Sequence, residues 1–229
     1  MNTGDTRTNL QRAAVPARIL AVLLSLTVGG LALAPTANAA VEPRDRVYAS
    51  YLPTVDQMTG VYPFLADGKR FVGKYKGQGD KFSCWDWTSA FKAADGRWSF
   101  YALKNGANPY FRGLEDPAVF AFKFHTRAQA QSAFSLQKRF ARKCMGRQSA
   151  DGTIARLWRQ HVPAVGQGSV AYRSLEKVET GSGHRKSREF HVSVLRGRYL
   201  VNIYNQAKSF QPETKNGVRL AKVTIRNIG

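Results

Sequence analysis

The stretch LQKRFARKCMGR, residues 136–147, carries Lys138, Arg139, Arg142, Lys143 and Arg147 with one cysteine and no acid. Lys138 and Arg142 are i,i+4 neighbours on a helix, as are Arg139 and Lys143. Like charges at that spacing cost a few tenths of a kcal/mol per pair. A face shaped for helix stability would intersperse Glu, yet residues 127–147 contain neither Asp nor Glu. The helix dipole favours Lys143 and Arg147 near the C-terminus and does little for Lys138 and Arg139. The cluster therefore predicts a face that binds an anion, with a solvated basic surface as the alternative.

Acid–base chemistry has thinner support. Four histidines stand at 125, 161, 184 and 191. His161 with Glu189 or Glu176 would make the kind of pair a small ribonuclease uses. His125 and His191 fall in strand contexts and read as ordinary satisfied or exposed side chains. The G-x-S-x-G elbow, H-E-x-x-H, the P-loop and G-x-G-x-x-G are absent from the sequence. Trp85 and Trp87 share one strand face beside Cys84. They pack against the core or present an aromatic platform for sugars, lipids or unstacked bases. The two cysteines, Cys84 and Cys144, are poor zinc ligands without a histidine cluster. No metal and no cofactor is expected.

The N-terminus sets the compartment. Arg7, Arg12 and Arg18 precede an apolar run from Ile19 to Ala34, followed by Pro35 and Ala37-Asn38-Ala39. Basic, apolar and small-x-small in that order is a secretory signal pattern, with cleavage expected near Ala39-Ala40. The apolar run falls short of a spanning helix, so no stable membrane span is expected. In an oxidising compartment two cysteines most simply form one bridge. Closing a loop of about sixty residues would stabilise the fold by roughly 4 kcal/mol. Of 229 residues, 35 are Lys or Arg and 15 are Asp or Glu, a formal charge of +20. Such an excess points to an anionic envelope or extracellular polymer as partner.

These residues need elements to hold them. Residues 41–80 are expected to hold a short helix starting near Thr54, then a loop, with the ordered core beginning at Phe82. FSCWDW and RWSFYALK read as strands, with a turn at Asp95-Gly96. VFAFKFH, 119–125, alternates with Phe120, Phe122 and Phe124 on one side. The period then lengthens. Thr126 and Gln129 match a capping box, and Ala130, Ala133, Phe134, Gln137, Phe140, Ala141 and Cys144 fall on one helical side. The basic residues fall on the other, and Gly146 follows as a stop signal. TIARLWRQHV, SVAYRSLEKVE, REFHVSVL and YLVNIYNQA predict an antiparallel meander with a tight turn at Arg196-Gly197-Arg198 and a polar loop at 180–187. Val218, Ala221, Ile225 and Ile228 predict a C-terminal helix. The expected fold is α+β: an antiparallel sheet of about six strands, helices on one face, and one disulfide.

The order of these pieces, with Pro163-Ala164-Val165-Gly166, Arg196-Gly197-Arg198 and the position of Cys144, resembles the extracellular sensor domain of PknH-type receptor kinases and related secreted actinobacterial proteins, over roughly residues 80–229. The resemblance implies an extracytoplasmic binding or sensing module and carries over the Cys84–Cys144 bridge. The chain departs from it in one expected bridge where the kinase domain has two, and in the expected absence of kinase and transmembrane segments. The function expected is a secreted, non-enzymatic binding module recognising an anionic polymer. A small secreted hydrolase or nuclease using His and carboxylate is the competing expectation.

Overall fold

The computed structural model describes residues 46–75, 81–82, 85–86, 91, 94–150, 153–180 and 183–229. The expected leader, Cys84 and Trp87 lie outside these residues. Three α-helices are placed: α1 (Val55–Thr59), α2 (Arg127–Lys143) and α3 (Thr214–Ile228). The strands are β1 (Lys69–Lys74), β2 (Lys81–Phe82), β3 (Trp85–Asp86), β4 (Ala94–Ala102), β5 (Asp116–Phe124), β6 (Gly146–Ala150), β7 (Thr153–Gln160), β8 (Gly168–Thr180), β9 (Gly183–Arg196) and β10 (Tyr199–Ala207).

Eight strands make one antiparallel sheet in the order β1-β4-β5-β10-β9-β8-β7-β6, while β2 and β3 pair separately. The fold is thus α+β with an antiparallel sheet, as expected. The sheet is wider than six strands because β1 and β6 add short edges. An edge strand lacks a fully buried face, and β1 accordingly shows no buried position and no clean alternation. Asp95 and Gly96, expected in a turn, instead lie inside β4 opposite Lys123 and Phe122. The stretch 180–187, expected as a polar loop, is mostly strand. β8 runs to Thr180 and β9 resumes at Gly183.

The helices do not share one face of the sheet. In β10, Leu200 packs with Phe122, Phe134 and Leu195 beneath α2, whereas Val201 and Ile203 pack with Val218, Leu220 and Ala221 of α3. Successive strand residues point to opposite faces, so α2 and α3 cover opposite sides. The core also begins well before Phe82. Val47, Leu52, Met58, Tyr62 and Leu65 are buried on the α3 side. Thr54 caps α1 there through a box with Gln57, which fits the helix start read from sequence. Asn205 of β10 donates to the Tyr62 hydroxyl at 3.0 Å and to Glu115, and Glu115 accepts from the Glu213 amide at 2.9 Å. That buried network ties the N-terminal segment, β10 and the start of α3 together. Against the same face, Gly217 lets α3 approach Phe190 so closely that a Cβ would lie 2.3 Å from the ring.

α2 is built as its sequence requires. Thr126 accepts from the Gln129 amide while the Gln129 side chain accepts from the Thr126 amide, completing the capping box. Its stripe Ala130, Ala133, Phe134, Gln137, Phe140 and Ala141 is buried, and so is Cys144 just beyond. Among the described residues no cysteine is free. Because Cys84 lies outside them, its pairing with Cys144 is kept as a proposal and tested below.

Candidate functional site

Lys138, Arg139, Arg142 and Lys143 are exposed on the outer face of α2. The Lys138 ammonium lies 5.3 Å from the centre of the Phe134 ring. Arg147 is the second residue of β6, and its side chain is outside the described residues. Four of the five expected cations therefore stand on one solvent-facing surface.

The inner face of α2 roofs something the sequence reading did not expect. A cavity of about 290 Å³ lies on the α2 side of the sheet. Its walls are rings: Tyr75, Phe100, Phe120, Phe122, Phe140 and Tyr172. At its mouth Phe100 is 39% exposed and pairs across the edge with Phe71, which is 50% exposed. Trp98 continues this shelf 4.8 Å from Phe100. Its indole lies flat over Gly73, where a Cβ would come within 2.2 Å of the ring, and its Nε1 donates to the Lys74 carbonyl at 3.2 Å.

The floor is polar and comes from three adjacent strands in register. Glu189 and His191 are two apart on β9 and so share a face. Their cross-strand partners are Ser174 and Tyr172 on β8, and Gln206 and Tyr204 on β10. The Glu189 carboxylate is almost fully buried, accepting from Ser174 Oγ at 2.7 Å, from the Tyr204 hydroxyl at 2.5 Å and from His191 Nε2 at 3.1 Å. Tyr172 stacks on the His191 ring at 4.3 Å, and Tyr204 meets it edge-on at 4.7 Å.

Burial alone would push the Glu189 carboxyl up. The bond and charge of His191, with the bonds from Tyr204 and Ser174, outweigh it and hold the group well below the usual carboxylate range. Burial and the adjacent Glu189 charge push the Tyr204 hydroxyl well above its ordinary value. At neutral pH the floor is thus a carboxylate fixed by neutral hydroxyls and an imidazole. Beside it Ser193 donates to Gln137 of α2 at 3.5 Å, and its cross-strand partner Asn202 holds a buried Oδ1 that takes no hydrogen bond from any described group.

Several expected positions fall elsewhere. His161 is exposed beyond the end of β7, and Glu189 is bonded to His191 instead. Glu176 does line the cavity. His125 is exposed past β5, and the His184 side chain is outside the described residues. Of the proposed Trp85 and Trp87 platform only the backbone of Trp85 is placed, in β3. No group of His, Cys, Asp and Glu among the described residues could hold a metal. No helix among them is long and apolar enough to cross a membrane.

No protein-family model and no curated protein matches the sequence significantly. Among solved structures, the chain is similar to the extracellular domain of PknH from Mycobacterium tuberculosis, with a TM-score of 0.55 and 8% identity over 78% of this chain and 93% of that one. It also matches a putative uncharacterized protein from Mycobacterium smegmatis, with a TM-score of 0.41 and 10% identity over 79% of this chain and 99% of that one. The first likeness is one of fold alone.

Proposed function

We propose that this chain is an extracytoplasmic binding module that takes a small, largely apolar ligand into the cavity under α2. The observation that carries the proposal is the cavity itself. Its volume lies at the lower end of the range for small-molecule sites, and it joins apolar walls to one convergent polar cluster. The fold likeness to an extracellular domain supports the binding role, and the leader pattern supports secretion.

A second surface is proposed for the anionic polymer expected from the sequence. Lys138, Arg139, Arg142 and Lys143 are all exposed on α2, with no acid among them to neutralise the face. The competing hydrolase has its strongest support in the His191–Glu189 pair. That carboxylate, however, is held by four donors, and the imidazole is packed between two tyrosines. The pair fits a fixed floor better than a proton shuttle.

The test is a ligand-observed NMR screen of small aromatic and aliphatic molecules of every charge type, with Leu157→Trp as control. Leu157 is buried and lines the cavity, so the larger ring should fill it. Saturable binding by the native chain that Leu157→Trp abolishes is expected. Absence of any such binder, or binding that the filled variant retains, would refute cavity binding.

A further inference from the structure

Resting on that cavity reading, the hydrogen-bond polarity of the floor narrows the ligand. Three hydroxyls of the floor spend their protons inward. Ser174 and Tyr204 donate to Glu189, and Ser193 donates to Gln137, so all three hydroxyl oxygens keep only lone pairs to offer. Asn202 adds a buried carbonyl oxygen that no described group satisfies. The charged lining residues are Glu176 and Glu189, and among the described residues neither Lys nor Arg lines the cavity.

We propose that the cavity binds an organic ammonium: a protonated primary or secondary amine carried on an apolar or aromatic body. The N–H groups would donate to the open acceptor, Asn202 Oδ1. The positive charge would face Glu189 and the ring faces of Tyr172 and Tyr204, which attract cations. The apolar body would occupy the ring-lined part toward Phe100. A carboxylate or phosphate ligand would meet lone pairs and a buried negative charge at the same point.

The experiment uses phenethylamine, 2-phenylethanol and 3-phenylpropionate as probes, matched in size and differing in charge and donor capacity. Affinities are measured by calorimetry on the native chain, on Leu157→Trp and on Asn202→Leu at neutral pH. The net charge of the protein favours the anion at any unspecific site, so a preference for the amine must come from a local site. Phenethylamine should bind at least about tenfold more tightly than the alcohol, as expected for one added charged hydrogen bond. Asn202→Leu should erase most of that advantage and leave the alcohol within about twofold, which distinguishes a lost acceptor from a collapsed cavity. If the alcohol or the acid binds as well as the amine, and Leu157→Trp abolishes that binding, the ammonium assignment is overturned while the cavity stands. If none of the three binds in a way that Leu157→Trp removes, both are overturned.

Discussion

Replacing Glu189 by Gln tests whether the floor is held by a charge or only by shape. The carboxylate uses both oxygens as acceptors: Oε2 from Ser174 and His191, Oε1 from Tyr204 and, at 3.4 Å, from Ser187. An amide can replace only one of them. Whichever oxygen becomes NH2, at least one hydroxyl donor then faces another donor. A hydrogen bond to a charged group contributes about 1.5–3 kcal/mol. Removing a buried charge returns part of this through lower desolvation. A net loss of about 2 kcal/mol follows, or roughly 4–8 °C in Tm for a domain of this size. The loss should also depend on pH. Because the folded carboxyl lies below its ordinary value of 4.5, its contribution is present above that value and disappears as pH falls through the folded one. Urea denaturation of both proteins at pH 7, 5 and 3.5 should therefore show their difference shrinking below about pH 4.5. A difference that stays constant with pH, or a variant more stable than the native chain at pH 7, would refute the role given to the charge.

Three further outcomes are expected. Lys138, Arg139, Arg142 and Lys143 replaced together by Gln should elute from a polyanion column at markedly lower salt than a control losing Lys69, Arg112, Lys186 and Lys208; equal elution would reduce the α2 face to a wet surface. Gly217→Ala should destabilise despite alanine's better helix propensity of about 1 kcal/mol, because its methyl group meets buried Phe190 and overpacking costs about 1–3 kcal/mol; a stabilised variant in thermal melts would contradict the close approach of α3. Non-reducing peptide mapping should find Cys84 linked to Cys144, and two alkylatable thiols would remove the bridge.

What the sequence made legible is what repeats locally. The 3.6-residue stripe of α2 and its Thr126–Gln129 box identified the helix, its start and its buried side, because both signals lie within one element. The placement of helices on both faces was not plain in β10, where Leu200 shares its parity with Asn202, Tyr204 and Gln206 and so reads as part of a wet face opposite Val201 and Ile203. The burial of residues 47–65 had no such local mark. Val47, Leu52 and Met58 are scattered without a period, and only their packing against α3 makes them core.

The site was half legible. The tight turn at Arg196-Gly197-Arg198 sets Arg196 opposite Tyr199, and that register alone places His191 against Tyr204, Glu189 against Gln206 and Ser193 against Asn202. Since Glu189 and His191 are i,i+2 on one strand, the His–carboxylate pair follows from period 2 without a structure. His161 is distant from Glu189 in sequence, and the nearer His191 takes that carboxylate. The third side of the floor was hidden by a different cause. Residues 180–187 are polar enough to pass for a loop, and a loop of eight residues leaves the register of β8 on β9 undefined. Once Thr180 pairs with Gly183, Tyr172 falls opposite His191 and Ser174 opposite Glu189. Both hairpins therefore converge on one face because their turns are short, and the same two registers that align the apolar core bring Ser174, Glu189, His191 and Tyr204 within bonding reach.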